Sequence, residues 1–123
     1  ELVDWIFHTD LGPVLRNGHP GRTWNEALTE LLERLQRSRA FYAGILRNQG
    51  QDRFSSCLFG DCYEMVCALL AQYSGNLTQT EQEMAGRFYT RAVIGLAMDW
   101  VRGDIQAEPA EIVTMLQKLV HQH

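Results

Sequence analysis

Few prolines, few cysteines and no gathering of charge set the first bounds on this chain. Proline occurs only at positions 13, 20 and 109, so long stretches are free of the residue that most readily breaks a helix. Strand signals are nearly missing as well. No segment sustains a two-residue alternation of β-branched and polar side chains, which argues against a sheet-based fold. No apolar run approaches the roughly 18–20 residues that span a bilayer, and no export signal opens the sequence. The expected setting is the cytoplasm, without a membrane. Basic residues are scattered and the net charge is −4, which argues against these residues forming a nucleic-acid surface of their own. Cys57, Cys62 and Cys67 are the only cysteines. Their five-residue spacing turns each about 140° from the last on a helix, so they do not converge on a metal. They are expected to be small buried hydrophobes. No internal repeat or low-complexity segment is present.

What is there is helical periodicity over 123 residues, enough for one domain with a real core. The expected fold class is all-α, a bundle of about six helices. A first helix covers about residues 1–7 and fades before Gly12-Pro13, and residues 16–22 read as a loop. Thr23-Trp-Asn-Glu26 has capping-box spacing, and Ala27, Leu28, Leu31, Leu32 and Leu35 follow as an apolar stripe. Ser38 caps a short helix carrying Phe41, Tyr42, Ile45 and Leu46, which ends at Asn48 to Gly50. A long core helix runs from about Asp52 to Tyr73, where Gly60 suggests close packing or a bend. After a turn at residues 74–76, Thr78 or Thr80 caps a helix that reaches about Arg102 and stops at Gly103. The last helix starts at Glu108-Pro109, with proline where no amide is needed.

The helix over residues 81–102 is apolar nearly all round. Ala85, Tyr89, Ala92, Val93, Leu96, Ala97 and Trp100 fill a charge-free arc of about 140°. Met84, Phe88, Ile94, Gly95, Met98 and Val101 lie opposite, among charges. Burial on two sides is implied, and a second copy of the chain is the simplest cover for one of them. Which arc meets the core and which the partner stays open, as does burial of the whole helix inside a monomer. A homodimer through the last two helices is expected, with Tyr89, Val93, Leu96, Trp100, Ile112, Leu116 and Leu119 at the contact.

No nucleophile, base and orienter converge, so a non-enzyme without cofactor is expected. His8 lies near the end of the first helix, His19 in a loop, and His121-x-His123 lacks a third metal ligand. Asp61 and Glu64 read as a solvated pair or as partners of a nearby arginine. Tyr42, Tyr63 and Arg91 sit among apolar neighbours, the composition of a small-molecule pocket or of core tyrosines that reach the surface. An effector site is expected between the long core helix and the helix of residues 81–102, near Tyr42, Phe59, Tyr63, Phe88, Arg91 and Met98. Tight filling of that region by side chains would favour a protein effector over a small molecule.

Three stretches carry a resemblance. Glu1-Leu-Val-Asp-Trp-Ile-Phe7 resembles the helix that follows the recognition helix in tetracycline-repressor (TetR)-type regulators. Phe41-Tyr-Ala-Gly-Ile-Leu46 with Phe54 resembles the middle helix and the start of the core helix. Phe88-Tyr-Thr-Arg-Ala-Val-Ile-Gly-Leu-Ala-Met-Asp-Trp100, Arg102-Gly103 and Glu108-Pro-Ala-Glu-Ile112 resemble the last two helices. The subtype it is most similar to is that of the dihydroxyacetone-kinase regulators. The resemblance implies a C-terminal regulatory and dimerisation domain over residues 1–123, responding to a small-molecule effector or a co-regulator protein. Operator DNA would then be read only by an N-terminal helix-turn-helix that is not among these residues. The alternative is a stand-alone helical adaptor that binds another protein through an apolar helix face. About 45–50 upstream residues with helix-turn-helix patterning would decide for the regulator, and a start codon just before Glu1 for the adaptor.

The acidic balance yields a first prediction. The 123-residue chain alone selects no sequence from a random duplex pool at physiological salt, and an enriched motif after repeated rounds of selection would refute it.

Overall fold

The computed structural model describes residues 2–16, 23–73 and 75–121. Glu1, residues 17–22, where a loop with His19 was expected, Ser74, Gln122 and His123 lie outside the described residues, as do the side chains of Tyr73, Val120 and His121. The described residues form six helices and no strand: α1 (Leu2–Asp10), α2 (Gly12–Arg16), α3 (Trp24–Arg37), α4 (Arg39–Tyr73), α5 (Gln79–Arg102) and α6 (Pro109–His121). The all-α reading therefore holds.

Local chemistry explains most boundaries. The Thr23 hydroxyl accepts from the Glu26 amide at 3.2 Å and donates to the Glu26 carboxylate at 3.1 Å, so the expected reciprocal box is half formed. Thr78 makes the full capping box: its hydroxyl accepts from Glu81 N–H at 3.1 Å while the Glu81 carboxylate accepts from Thr78 N–H at 2.8 Å. Gly103 ends α5 in the left-handed region at φ 89°, which a residue without Cβ adopts at no steric cost. The two helices expected around Gly50 run on as one element, α4, broken where Gly50 takes φ 88° and ψ 170°. The first helix ends at Asp10, before Gly12-Pro13 as expected, but the chain then turns into the unexpected α2, because Pro13 sits in a first turn, where no amide partner is required.

α4 and α5 pack on each other and form the middle of the molecule; α1 and α2 pack on α4, and α3 packs on α2, α4 and α5 and carries α6. Phe7 lies 5.2 Å from both Tyr42 and Phe54, ring centre to ring centre. The core continues through Leu31, Leu35, Leu58, Cys62, Val66 and Ile94. α4 has the length and, over an 18-residue window of mean hydropathy 1.3, the composition to cross a membrane, although its apolar residues form no continuous run. Here it is the central helix of a bundle.

Two polar anchors fix the stack. The Tyr42 hydroxyl donates to Asp10, and Arg34 approaches the same carboxylate at 3.9 Å, so α1, α3 and α4 meet at one acid. Burial, and then the Asp10 bond, push the Tyr42 phenol far above its ordinary value. At the other end the Trp100 indole donates to the Ala107 carbonyl at 2.8 Å. Arg39 donates to the carbonyls of Trp100 and Val101 and lies 4.7 Å over the Trp100 ring. A cation at a helix C-terminus faces free carbonyls and the negative end of the helix dipole. Gln36 then donates to Glu108 at 3.0 Å, which ties the end of α3 to the start of α6.

Arg39→Met keeps the aliphatic stem and removes the donors. Charge-assisted bonds of this kind contribute about 1.5–3 kcal/mol, so the variant is expected to melt several degrees lower. An unchanged melting temperature would show that the anchor is dispensable.

Candidate functional site

On α5 the buried line is Gly86, Thr90, Ile94, Ala97, Trp100 and Val101. The helix therefore turns toward the core the edge between the two arcs read from the sequence, and neither arc is buried whole. Thr90 is fully buried and its hydroxyl finds no partner among the described residues. What remains outside is unusually apolar for a wet surface. Met84 is 70% exposed, Phe88 67% and Tyr89 38%. On α6, Met115 is 49% and Leu119 57% exposed.

The expected contact residues fall into three groups. Tyr89 and Leu119 face outward. Val93, Leu96 and Leu116 are half-buried and line a small apolar hollow of about 20 Å³ with Leu28, Leu31, Leu32, Ile105 and Ile112. Trp100 and Ile112 are corrections: at 1% and 6% exposure they belong to the chain's own core. Trp100 is turned inward by its bond to Ala107. Ile112 lies on the inner side of α6, which packs on α3. Met115, on the outer side of α6, was not singled out. Its place one turn before Leu119 was the available signal.

The six expected effector residues do not converge. Tyr42 is fully buried beside Asp10 and packs on Phe7. Phe88 points to solvent and meets Tyr89 edge-on at 5.3 Å. Met98 is half-buried against the core. Only Phe59, Tyr63 and Arg91 come together. The rings of Phe59 and Tyr63 stack at 5.6 Å and 14°, and the Arg91 guanidinium lies 4.3 Å over Phe59 while donating to the Ser55 hydroxyl at 3.2 Å. Arg87, absent from the expected set, lies 5.6 Å over Tyr63. Two arginines one turn apart on α5 thus match two rings one turn apart on α4, a spacing readable from the sequence once the helices are paired. A hydrogen bond to Cys67 is the main cause raising the Tyr63 phenol above its ordinary value.

Neither principal hollow among the described residues is lined by any of these six. The larger, about 490 Å³, is an open groove between α1 and α4 lined by Asp4, Trp5, His8, Ser56, Cys57, Gly60 and Asp61. Its acids are already engaged. Arg53 pairs with Asp4 at 3.1 Å and Arg16 with Asp61 at 3.4 Å. None of the three thiols is in a disulfide, but only Cys62 is the buried hydrophobe expected of all three. Burial, with the Asp61 charge adding to it, pushes the Cys62 thiol up to about 12. Cys57 instead donates to Asp4 at 2.9 Å.

The glycines test this packing in opposite directions. A Cβ on Gly86 would lie 2.9 Å from Cys67 Sγ and 3.0 Å from Tyr63 Cε1, whereas one on Gly60 meets nothing within 4 Å. The close approach expected at Gly60 is therefore found at Gly86. Gly86→Val is expected to cost about 1–3 kcal/mol by overpacking the α4–α5 seam. Gly60→Ala is expected to add about 0.4–1 kcal/mol through the unfolded chain. Thermal melts of the two variants moving in the same direction would contradict this seam.

Compared with known proteins, residues 22–122 match a family model of the TetR type, described as a transcriptional regulator C-terminal region. No curated protein and no solved structure matches the chain.

Proposed function

The chain belongs to the family of TetR-type transcriptional regulator C-terminal regions, and we propose that it is the effector-sensing and dimerising part of such a regulator, working in the cytoplasm. A DNA-reading segment elsewhere in the protein would address the operator, and the effector would be a small molecule or a co-regulator protein. Within the family we place it near the dihydroxyacetone-kinase regulators, on the residues of its middle and last two helices. The observation that carries the reading is the apolar surface left uncovered on the last two helices, at Tyr89, Met115 and Leu119. Beside it, Val93, Leu96 and Leu116 line a hollow that is nearly free of polar atoms.

Symmetry makes this surface useful to a regulator. A two-fold contact uses one patch on both copies, so α5 and α6 of each would form a four-helix contact with Leu96 and Leu116 at its floor and Leu119 covered by the partner. A permanent interface of this kind tends to be large and apolar, roughly 2,000 Å² or more in total. Pairing also fixes the distance between two DNA-reading segments, which is how dimeric regulators measure half-site spacing.

Leu119→Glu separates this reading from a monomer. Leu119 is 57% exposed in the single chain, where such a substitution shifts stability by no more than about 0.5 kcal/mol. At a buried contact it strands a charge. Light scattering is expected to show the unsubstituted chain at twice its 14.1 kDa mass and the variant, still helical, at the single mass. An unsubstituted chain that stays at the single mass at tens of micromolar would overturn the proposal.

A further inference from the structure

The flank of α5 turned away from α6 has a different character from the pairing face. Counted at about 100° per residue, Arg87 and Arg91 lie roughly 140–180° round the helix from Tyr89 and Leu96. Met84 and Phe88 stand beside the two arginines, both about two-thirds exposed. Four other arginines are neutralised, and Arg39 is spent on the carbonyls of Trp100 and Val101. Arg16, Arg34, Arg53 and Arg102 each pair with an aspartate. Among the described residues, no carboxylate comes within 4.0 Å of Arg87 or Arg91, and Glu83, one turn before Arg87, is no exception. Both guanidiniums lie instead over the stacked rings of Tyr63 and Phe59.

We infer that this flank, Arg87 and Arg91 with Met84 and Phe88, is a docking surface for an acidic amphipathic helix of another protein. Charge complementarity selects the partner. In a chain of net charge −4, this strip offers two cations without an acid and two large apolar side chains without cover. A guanidinium laid on an aromatic ring is held in place while its outer N–H groups stay free, so little rotamer freedom remains to be lost when a carboxylate arrives. Two carboxylates one helical turn apart repeat the spacing of Arg87 and Arg91, and an apolar residue between them would cover Phe88. A second copy of this chain is a poorer occupant, since near a two-fold axis the same arginines would face each other. The two arginines set the inference apart from the pairing proposed above, since they lie on another flank of α5, while Phe88, whose ring meets Tyr89, borders both.

The test uses the whole chain and a fluorescent helical peptide of about 18 residues with glutamates one turn apart and leucines between them. A control peptide carries lysine in place of each glutamate. Fluorescence anisotropy is expected to show the acidic peptide bound at least tenfold more tightly than the control. Its affinity is expected to fall severalfold when salt rises from about 0.05 to about 0.3 M. The Arg87→Glu/Arg91→Glu double variant, and the milder Arg87→Gln/Arg91→Gln pair, should lose at least tenfold while circular dichroism stays unchanged. Phe88→Ala should weaken binding without altering its salt dependence. Equal binding of both peptides, no binding of the acidic one, or indifference to the arginine substitutions would overturn the inference. So would a double variant whose mass by light scattering falls from two chains to one, which would give this flank to a second copy.

Discussion

The orientation of α5 depends on one side chain. Trp100 is buried to 1% exposure, gives its indole N–H to the Ala107 carbonyl, and lies under the Arg39 guanidinium. A buried indole left without an acceptor costs about 1–3 kcal/mol, so this ring tolerates little rotation of the helix that carries it. Arg39 adds a second constraint, since it also takes the last carbonyls of α5. Together they bind the end of α5, the start of α4 and the strap leading to α6 into one joint. Gln36 and Glu108 brace it from α3.

Once that joint is set, the remaining surface of α5 is determined. Gly86, Thr90, Ile94 and Ala97 must follow Trp100 and Val101 inward, and Gly86 lets α5 approach Cys67 and Tyr63 on α4 without a Cβ between them. The apolar residues left over are then divided between two flanks. Tyr89 lies beside Trp24 of α3, and Leu96 lines the hollow that reaches Leu116 of α6, where Met115 and Leu119 are also exposed. Met84 lies next to Arg87 and Arg91, and Phe88 stands between them and Tyr89, which its ring meets edge-on. Exposed apolar area of this extent is what interaction surfaces show and free surfaces avoid. The two flanks differ in charge, so they suit different partners.

Much of this was legible in the residues. Thr78 with Glu81, Gly103, and Pro109 marked the ends of α5 and the start of α6, because capping is local chemistry and local chemistry can be read from spacing. Gly50 announced the break in α4 for the same reason. The short helix α2 was legible too, since Pro13 carries the same first-turn signal as Pro109, but the signal was read as an end. What could not be read was rotation. α5 is apolar on both arcs, and periodicity finds the core side only when one side is polar. Trp100 and Ile112 were accordingly expected at a partner contact and lie inside. The burial of Tyr42 beside Asp10, 32 residues away, and the bond from Cys57 to Asp4 are contacts between helices that no single-helix pattern contains. Phe59, Tyr63 and Arg91 come together across α4 and α5, while Phe88 and Met98, expected beside them, point elsewhere for the same reason of rotation.

The central claim is that the outward faces of α5 and α6 are completed by a second copy of the chain. Mass action tests it without any substitution, since association that favours the folded state makes melting depend on protein concentration. The account predicts a melting temperature that climbs by several degrees as the chain is taken from about 1 to about 100 μM. A melting temperature constant across that range, with the 14.1 kDa mass throughout, would contradict it.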